Sequence, residues 1–340
     1  MTPTARTRRA TGKKDGEAAA SGISAEELLG AYRRMSEIRH FEDRLHIENQ
    51  SGDIPGFVHL YAGEEAIAVG VCDVLEKTDK IASTHRGHGH CLAKGCGIRP
   101  MMCEIFGKEE GLCHGKGGSM HIADLSVGMM GANGIVGGGP NLVVGAALAA
   151  KTLGNGGVAV SFTGDGGSNQ GTTFEAMNMA VVLKLPVVFV FENNGIGEAT
   201  AASFAVGSGD IAGRAAGFGM PATKVDGTDY FAVRTAAQEA VERARSGGGP
   251  SVIEASAIRF YGHFEGDAYQ IRTPEQLQEL KDAHDPLKIF RANTAGLLES
   301  ADLDRVDAES EKTVDEAVAY ARAAAWPQAW EVSTDVYATY

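Results

Sequence analysis

Residues Val158–Gly197 read VAVSFTGDGGSNQGTTFEAMNMAVVLKLPVVFVFENNGIG. Val158 to Phe162 is a short, apolar, β-branched run of the kind that forms buried parallel strands. Gly164-Asp165-Gly166-Gly167 breaks it sharply. Thr172 to Leu183 reads as a helix and Pro186 to Phe191 as a second buried strand, closed by the polar run Glu192-Asn193-Asn194-Gly195. The result is a βαβ unit with polar residues at the carboxyl ends of both strands, where open α/β sheets bind ligands.

Asp165 decides what kind of ligand fits. A helix start that holds phosphate offers bare backbone N–H groups and positive potential. An Asp in that turn repels phosphate unless a cation lies between them. Asp165 and Asn194 are one helix plus one strand apart, so on neighbouring strands their side-chain oxygens can face one point. Such oxygens, completed by two from a diphosphate, suit Mg²⁺. The dinucleotide fingerprint G-x-G-x-x-G is not met, because Asn169 stands where its third glycine belongs. A bare glycine-rich turn is the bland alternative; Asn194, one βα unit later, favours the metal–diphosphate reading.

Composition limits the remaining choices. The chain has 340 residues, 44% hydrophobic and 22% charged, as in a globular protein with a large core. A formal net charge of −13 argues against nucleic acid as a partner. No apolar run approaches the roughly 20 residues that span a bilayer, so no membrane role is expected. Residues 1–22 are basic, small and polar without an apolar centre, and are expected to be a disordered cytoplasmic tail. Five cysteines without C-x-x-C spacing are expected to be free thiols in a reducing compartment.

Along the chain, Ser24-Ala25-Glu26-Glu27 is a capping box opening a helix that ends near Gln50. His59 precedes a further helix from about Glu64, and packing and presentation to a cleft are equally open for it. Lys80 to Thr84 is the first expected strand, running into His85-Arg86-Gly87-His88-Gly89-His90. Arg86 suits a diphosphate because its planar fork makes paired charge-assisted hydrogen bonds. Gly111 to His121 is expected to line the site, with His114 and Lys116 as steering charges. Gly131 to Gly139 precedes a helix over Pro140–Leu153, and its Ile135-Val136 pair is expected as a buried wedge beneath an apolar ring. Pro221 to Val225 reads as a strand, followed by a helix to about Arg245. Ser251 to Phe260 reads as another strand, ending at Tyr261-Gly262-His263. His263 is a candidate acid–base group, and Asp267 to Thr273 a candidate lid. Helices over Pro274–Ala283, Pro286–Leu298 and Glu309–Ala325 complete the chain.

Seven segments together carry a family likeness: GFVHLYAGEEA (56–66), STHRGHG (83–89), GKGGSMH (115–121), GIVG (134–137), GDGGSNQG (164–171), KLPVVFVFENN (184–194) and RFYGHFEGD (259–267). In this order they resemble the α subunits of thiamine-diphosphate-dependent 2-oxo acid and acetoin dehydrogenases, over about Ile23 to Leu287. The resemblance implies a thiamine-diphosphate-binding α/β fold: a doubly wound, mostly parallel sheet flanked by helices over 23–290, with a helical C-terminal extension over 291–340. It implies Mg²⁺ on Asp165, Asn194 and the Ile196 carbonyl. It also implies diphosphate contacts from His85, Arg86, Gly166 and Gly167, pyrimidine contacts from Gly134 and Val136, and funnel histidines His59 and His263, the latter assisting proton transfer.

The family divides its site between chains, so a β subunit in an α₂β₂ heterotetramer is implied, as is a lipoyl-bearing acyltransferase that receives the two-carbon unit. Relatives acting on pyruvate often carry Tyr where His85 stands, and Tyr is also common where Ile196 stands. Mitochondrial relatives carry phosphorylatable serines after His263, whereas no Ser occurs from Gly262 to Thr273 here. The wording around His85 and His263 is closest to acetoin-cleaving members. Pyruvate or a branched 2-oxo acid is the alternative substrate. A non-catalytic scaffold chain and a nicotinamide oxidoreductase are readings from other classes. Intact Asp165, Asn194, Arg86 and His263 oppose the first, and the incomplete glycine fingerprint opposes the second.

Overall fold

The computed structural model describes residues 22–267 and 272–337. The expected tail, apart from Gly22, and residues 268–271 of the expected lid lie outside the described residues.

The chain opens on helix α1 (Ala25–Asn49), whose capping box forms as read: Ser24 accepts from the Glu27 N–H and Glu27 accepts from the Ser24 N–H. Helix α2 (Glu65–Cys72) and strand β1 (Lys80–Ala82) follow. Helices α3 (His88–Lys94) and α4 (Ile98–Ile105) come next, then α5 (Gly138–Leu153). Strand β2 (Ala159–Gly164), helix α6 (Gly171–Val182) and strand β3 (Val187–Asn193) form the central unit. A small hairpin, β4 (Ile196–Gly197) and β5 (Thr200–Ala201), leads into short helices α7 (Ala202–Ala205) and α8 (Ile211–Ala216). Strand β6 (Ala222–Asp226), helix α9 (Tyr230–Arg245) and strand β7 (Ser251–Ser256) complete the sheet. Helices α10 (Pro274–His284), α11 (Pro286–Asn293) and α12 (Ser300–Ala323) end the regular structure.

The five-stranded sheet has the order β1-β2-β3-β7-β6, and every pairing in it is parallel. Strands β2, β3 and β7 are buried on both faces, as near-continuous apolar runs require, while the edge strand β6 is half-buried. Val158, Val160, Phe162, Val188, Val190 and Ile253 point into a core shared with α1, α2 and α9. Ala159, Val187, Phe189, Phe191 and Val252 point into a second core under α5, α6 and α8. Helices therefore cover both faces, and the sheet is doubly wound.

Several expected boundaries move. β1 stops at Ala82 and β7 at Ser256, short of Thr84 and Phe260. Beyond these points the chain leaves the sheet to reach the crevice. α11 ends at Asn293 rather than Leu298, and α12 starts at Ser300 rather than Glu309. α3 and α4 were not expected, because glycines and histidines hide the helical period in HGHCLAK. Close approach explains the glycine: a Cβ on Gly89 would sit 2.1 Å from the Tyr61 ring.

Candidate active site

β2 and β3 are adjacent, with Gly164 opposite Glu192, so Asp165 and Asn194 emerge side by side at their carboxyl ends. They border a cavity of about 360 Å³ that is also lined by His85, Arg86, Val136, Gly166, Gly167, Ile196 and His263. Segments that follow four different strands, β1, β2, β3 and β7, thus meet at one crevice. Two implied residues do not line it. Gly134 is half-buried in its loop, its N–H 3.4 Å from His121 Nε2. His59 is buried behind the wall, with ring centroids 4.5 Å from His85 and 5.2 Å from His263.

Asp165 carries the most telling geometry. One carboxylate oxygen accepts from the Gly166 N–H at 2.7 Å; the other, Oδ2, is buried without a hydrogen-bond partner. Burial raises its pKa against the opposing pull of the Gly166 N–H and the Arg259 charge, and leaves Oδ2 an orphaned acceptor. Asn194 Nδ2 donates to Glu64 at 2.9 Å, which fixes the amide so that its oxygen takes the opposite side. A Cβ at Gly164 or Gly195 would meet nothing within 4 Å, so the surrounding turns leave open space. A divalent cation fits this donor set: one orphaned carboxylate oxygen, one oriented amide oxygen and a strand-end backbone.

The histidines and arginines form the opposite wall. Arg86 Nη1 donates to the Leu60 carbonyl at 2.7 Å and Nη2 to the His263 carbonyl at 2.8 Å. Its fork therefore also ties two loops together, a role that sequence reading did not reveal. The imidazoles of His59, His85 and His263 bring ring nitrogens within 4.8 Å of one another. Burial, followed by the charge of Arg86, pushes His85 down to about 3 and His263 down to about 4. Burial, then His85 and Arg86, lowers His59 as well. All three are neutral near pH 7.

Other expectations fail on geometry. Ile135 and Val136 are 73% and 46% exposed, not a buried wedge. Their apolar surface faces outward at the cavity mouth. His114 and Lys116 do not reach the cavity, and Lys116 pairs instead with Asp335 at 2.7 Å. Their loop is held by buried Glu104, which accepts four backbone N–H groups between Cys113 and Gly118. Only His85 of the HRGHGH histidines lines the cavity. His88 is buried between Glu42 and Ser119, and His90 between Ser83 and Glu192.

Residues missed from the sequence include Glu64, Glu192 and Arg259, all of which line the cavity. Glu192 accepts from the Tyr61 hydroxyl and faces His90 Nε2 at 3.0 Å. Burial, then the Glu192 charge, raises Glu64. Glu192 shares a strand end with Asn194, a signal that position alone offered. Nothing local marked Glu64 or Arg259.

The chain matches the family described as dehydrogenase E1 component over residues 33–329. It is 53% identical over 332 residues to the α subunit of an acetoin:2,6-dichlorophenolindophenol oxidoreductase from Cupriavidus necator, covering 97% of this chain and 100% of the relative. A Bacillus subtilis protein of the same name is 51% identical, covering 94% and 96%. The α subunit of the pyruvate dehydrogenase E1 component from Rhizobium meliloti is 38% identical, covering 92% and 91%. With its sheet, its crevice and its sequence in agreement, this chain belongs to the dehydrogenase E1 component family.

Proposed function

We propose that this chain is the α subunit of a thiamine-diphosphate-dependent dehydrogenase that cleaves acetoin and passes the two-carbon unit oxidatively to a lipoyl-bearing acyltransferase. The observation that carries the reading is the buried, unpartnered Oδ2 of Asp165 beside Asn194 at adjacent strand ends. Mg²⁺ on Asp165, Asn194 and the Ile196 carbonyl would neutralise the diphosphate. Bound there, the cofactor supplies a nucleophilic carbon and an electron sink. Arg86, Gly166, Gly167 and the ring N–H of His85 would hold the diphosphate, which leaves the other His85 nitrogen as an acceptor, and Gly134 and Val136 would stand near the pyrimidine. His263 would exchange protons with substrate, and His59 would back the wall behind it.

The names of the Cupriavidus and Bacillus relatives support acetoin as the substrate, and the α label supports a β partner. We infer an α₂β₂ assembly, with residues 23–290 as the cofactor-binding unit and 291–340 as an extension on it. Packing of α12 against α1 and α4 supports that division. Among the described residues no helix is long and apolar enough to cross a membrane. A cytoplasmic location is the reading we adopt, supported by five unpaired cysteines.

Two measurements on the co-purified α–β complex test this function. Calorimetric titration with thiamine diphosphate should show Mg²⁺-dependent binding that Asp165→Ala abolishes; binding unchanged by that substitution would sink the cofactor assignment. Turnover with a dye acceptor should favour acetoin over pyruvate and branched 2-oxo acids. A clear preference for pyruvate would replace the substrate with that of the Rhizobium relative.

A further inference from the structure

Two histidines line the cavity, His85 and His263, with ring centroids 5.3 Å apart. They are not chemically equivalent. Arg259 Nη1 lies 3.2 Å from His263 Nδ1. A guanidinium only donates, so Nδ1 must be the acceptor, and the proton of the neutral ring sits on Nε2. His263 therefore presents a donor to whatever its free edge faces. Arg86 holds its backbone carbonyl and Asp267 accepts from its N–H at 3.0 Å, which keeps the ring in place. No hydrogen bond fixes the His85 ring among the described residues. Its burial and the charges of Arg86, His263 and Arg259 keep it neutral, with a lone pair available.

Resting on the acetoin reading above, we propose that His85 is the general base that takes the substrate's hydroxyl proton as its carbon–carbon bond breaks, while His263 hydrogen-bonds the carbonyl-derived oxygen through Nε2–H. Acetoin places a carbonyl beside a carbinol. When the bond between them breaks, its electron pair passes to the former carbonyl carbon, where the bound cofactor would supply the electron sink. The carbinol O–H breaks in the same step. Its electron pair becomes the second C–O bond of departing acetaldehyde, and its proton goes to a His85 nitrogen. There is no net oxidation in this step. A 2-oxo acid loses carbon dioxide from a carboxylate that has no proton to give, so this base is needed only by the hydroxyketone.

Neighbouring groups are already committed. His59 does not line the cavity, and His263 Nδ1 is taken by Arg259. Glu64 is held by Asn194 Nδ2, and Glu192 by Tyr61 and His90. His85 is the one neutral proton acceptor on the wall opposite Asp165 without such a bond among the described residues.

The test uses the α–β complex with saturating Mg²⁺ and thiamine diphosphate, comparing wild type with His85→Asn and His85→Gly. Acetoin kcat should fall by about 100-fold, the scale of general base catalysis, with most of the loss in kcat rather than KM. The ratio of acetoin to pyruvate turnover should drop by at least about 30-fold, and added imidazole should restore part of the His85→Gly loss. Calorimetry of thiamine diphosphate binding supplies a readout apart from turnover. Equal losses on both substrates, failure of imidazole to rescue, or full recovery of turnover once cofactor is raised would overturn the assignment. A wild-type complex that leaves acetoin uncleaved would instead overturn the acetoin reading and this one with it.

Discussion

At the scale of single residues, the site stores unfavourable electrostatics that its ligands would relieve. The orphaned Asp165 carboxylate costs stability in the free protein. Asp165→Ala should therefore raise the melting temperature of the cofactor-free α–β complex, by roughly 1 kcal/mol of stability, while removing the gain that wild type shows on adding Mg²⁺ and cofactor. A lower melting temperature without ligands would contradict this. The histidines give a pH effect of defined sign. His85 titrates at about 3 when folded, against about 6.5 in the unfolded chain. Below pH 6.5 the unfolded chain binds the extra proton, so this group's contribution rises with pH and is lost as pH falls from about 6.5 towards 3. Between pH 7.5 and 5, His85→Asn should lose on the order of 1 kcal/mol less stability than wild type, measured by parallel melts of the cofactor-free complex.

At the scale of elements, the central βαβ unit was legible to within a residue or two because period and punctuation agreed there. Apolar β-branched runs gave the strands, and the glycine turn gave the break. α3 was not legible, since the features that place it are contacts made elsewhere. Gly89 lets it lie on the Tyr61 ring, and His88 and His90 are buried polar ties rather than loop residues. Gly89→Ala should cost roughly 2–3 kcal/mol by overpacking and shift Tyr61 off Glu192. A melting temperature within a degree of wild type would show that the helix can move aside. The Gly111–His121 loop illustrates the same limit. Its glycines and charges looked like a binding loop, yet Glu104 gathers its N–H groups inward and Asp335 takes Lys116.

At the scale of the whole molecule, one group of exposed apolar side chains lies on two adjoining helices. Leu142, Leu148 and Leu153 of α5 and its end, with Met179 and Val182 of α6, stay uncovered, and Ile135 and Val136 continue this surface to the cavity mouth. A face of this kind in one chain is what a second subunit would cover. The isolated chain should melt well below the co-purified complex and bind hydrophobic dye more strongly; equal melting temperatures would argue against the two-chain assembly.

The sequence by itself determined the local units and the identity of the chemistry: the βαβ period, the misplaced Asp165, and Asn194 one unit later. These are short-range patterns, set by backbone period and side-chain type. Only the tertiary structure decided which residues share the crevice. The order β1-β2-β3-β7-β6 brings Arg259 and His263, just past β7, to the same wall as His85, nearly 180 residues earlier. Those pairings arise from packing between distant segments, and no local pattern records which nitrogen of His263 Arg259 will hold.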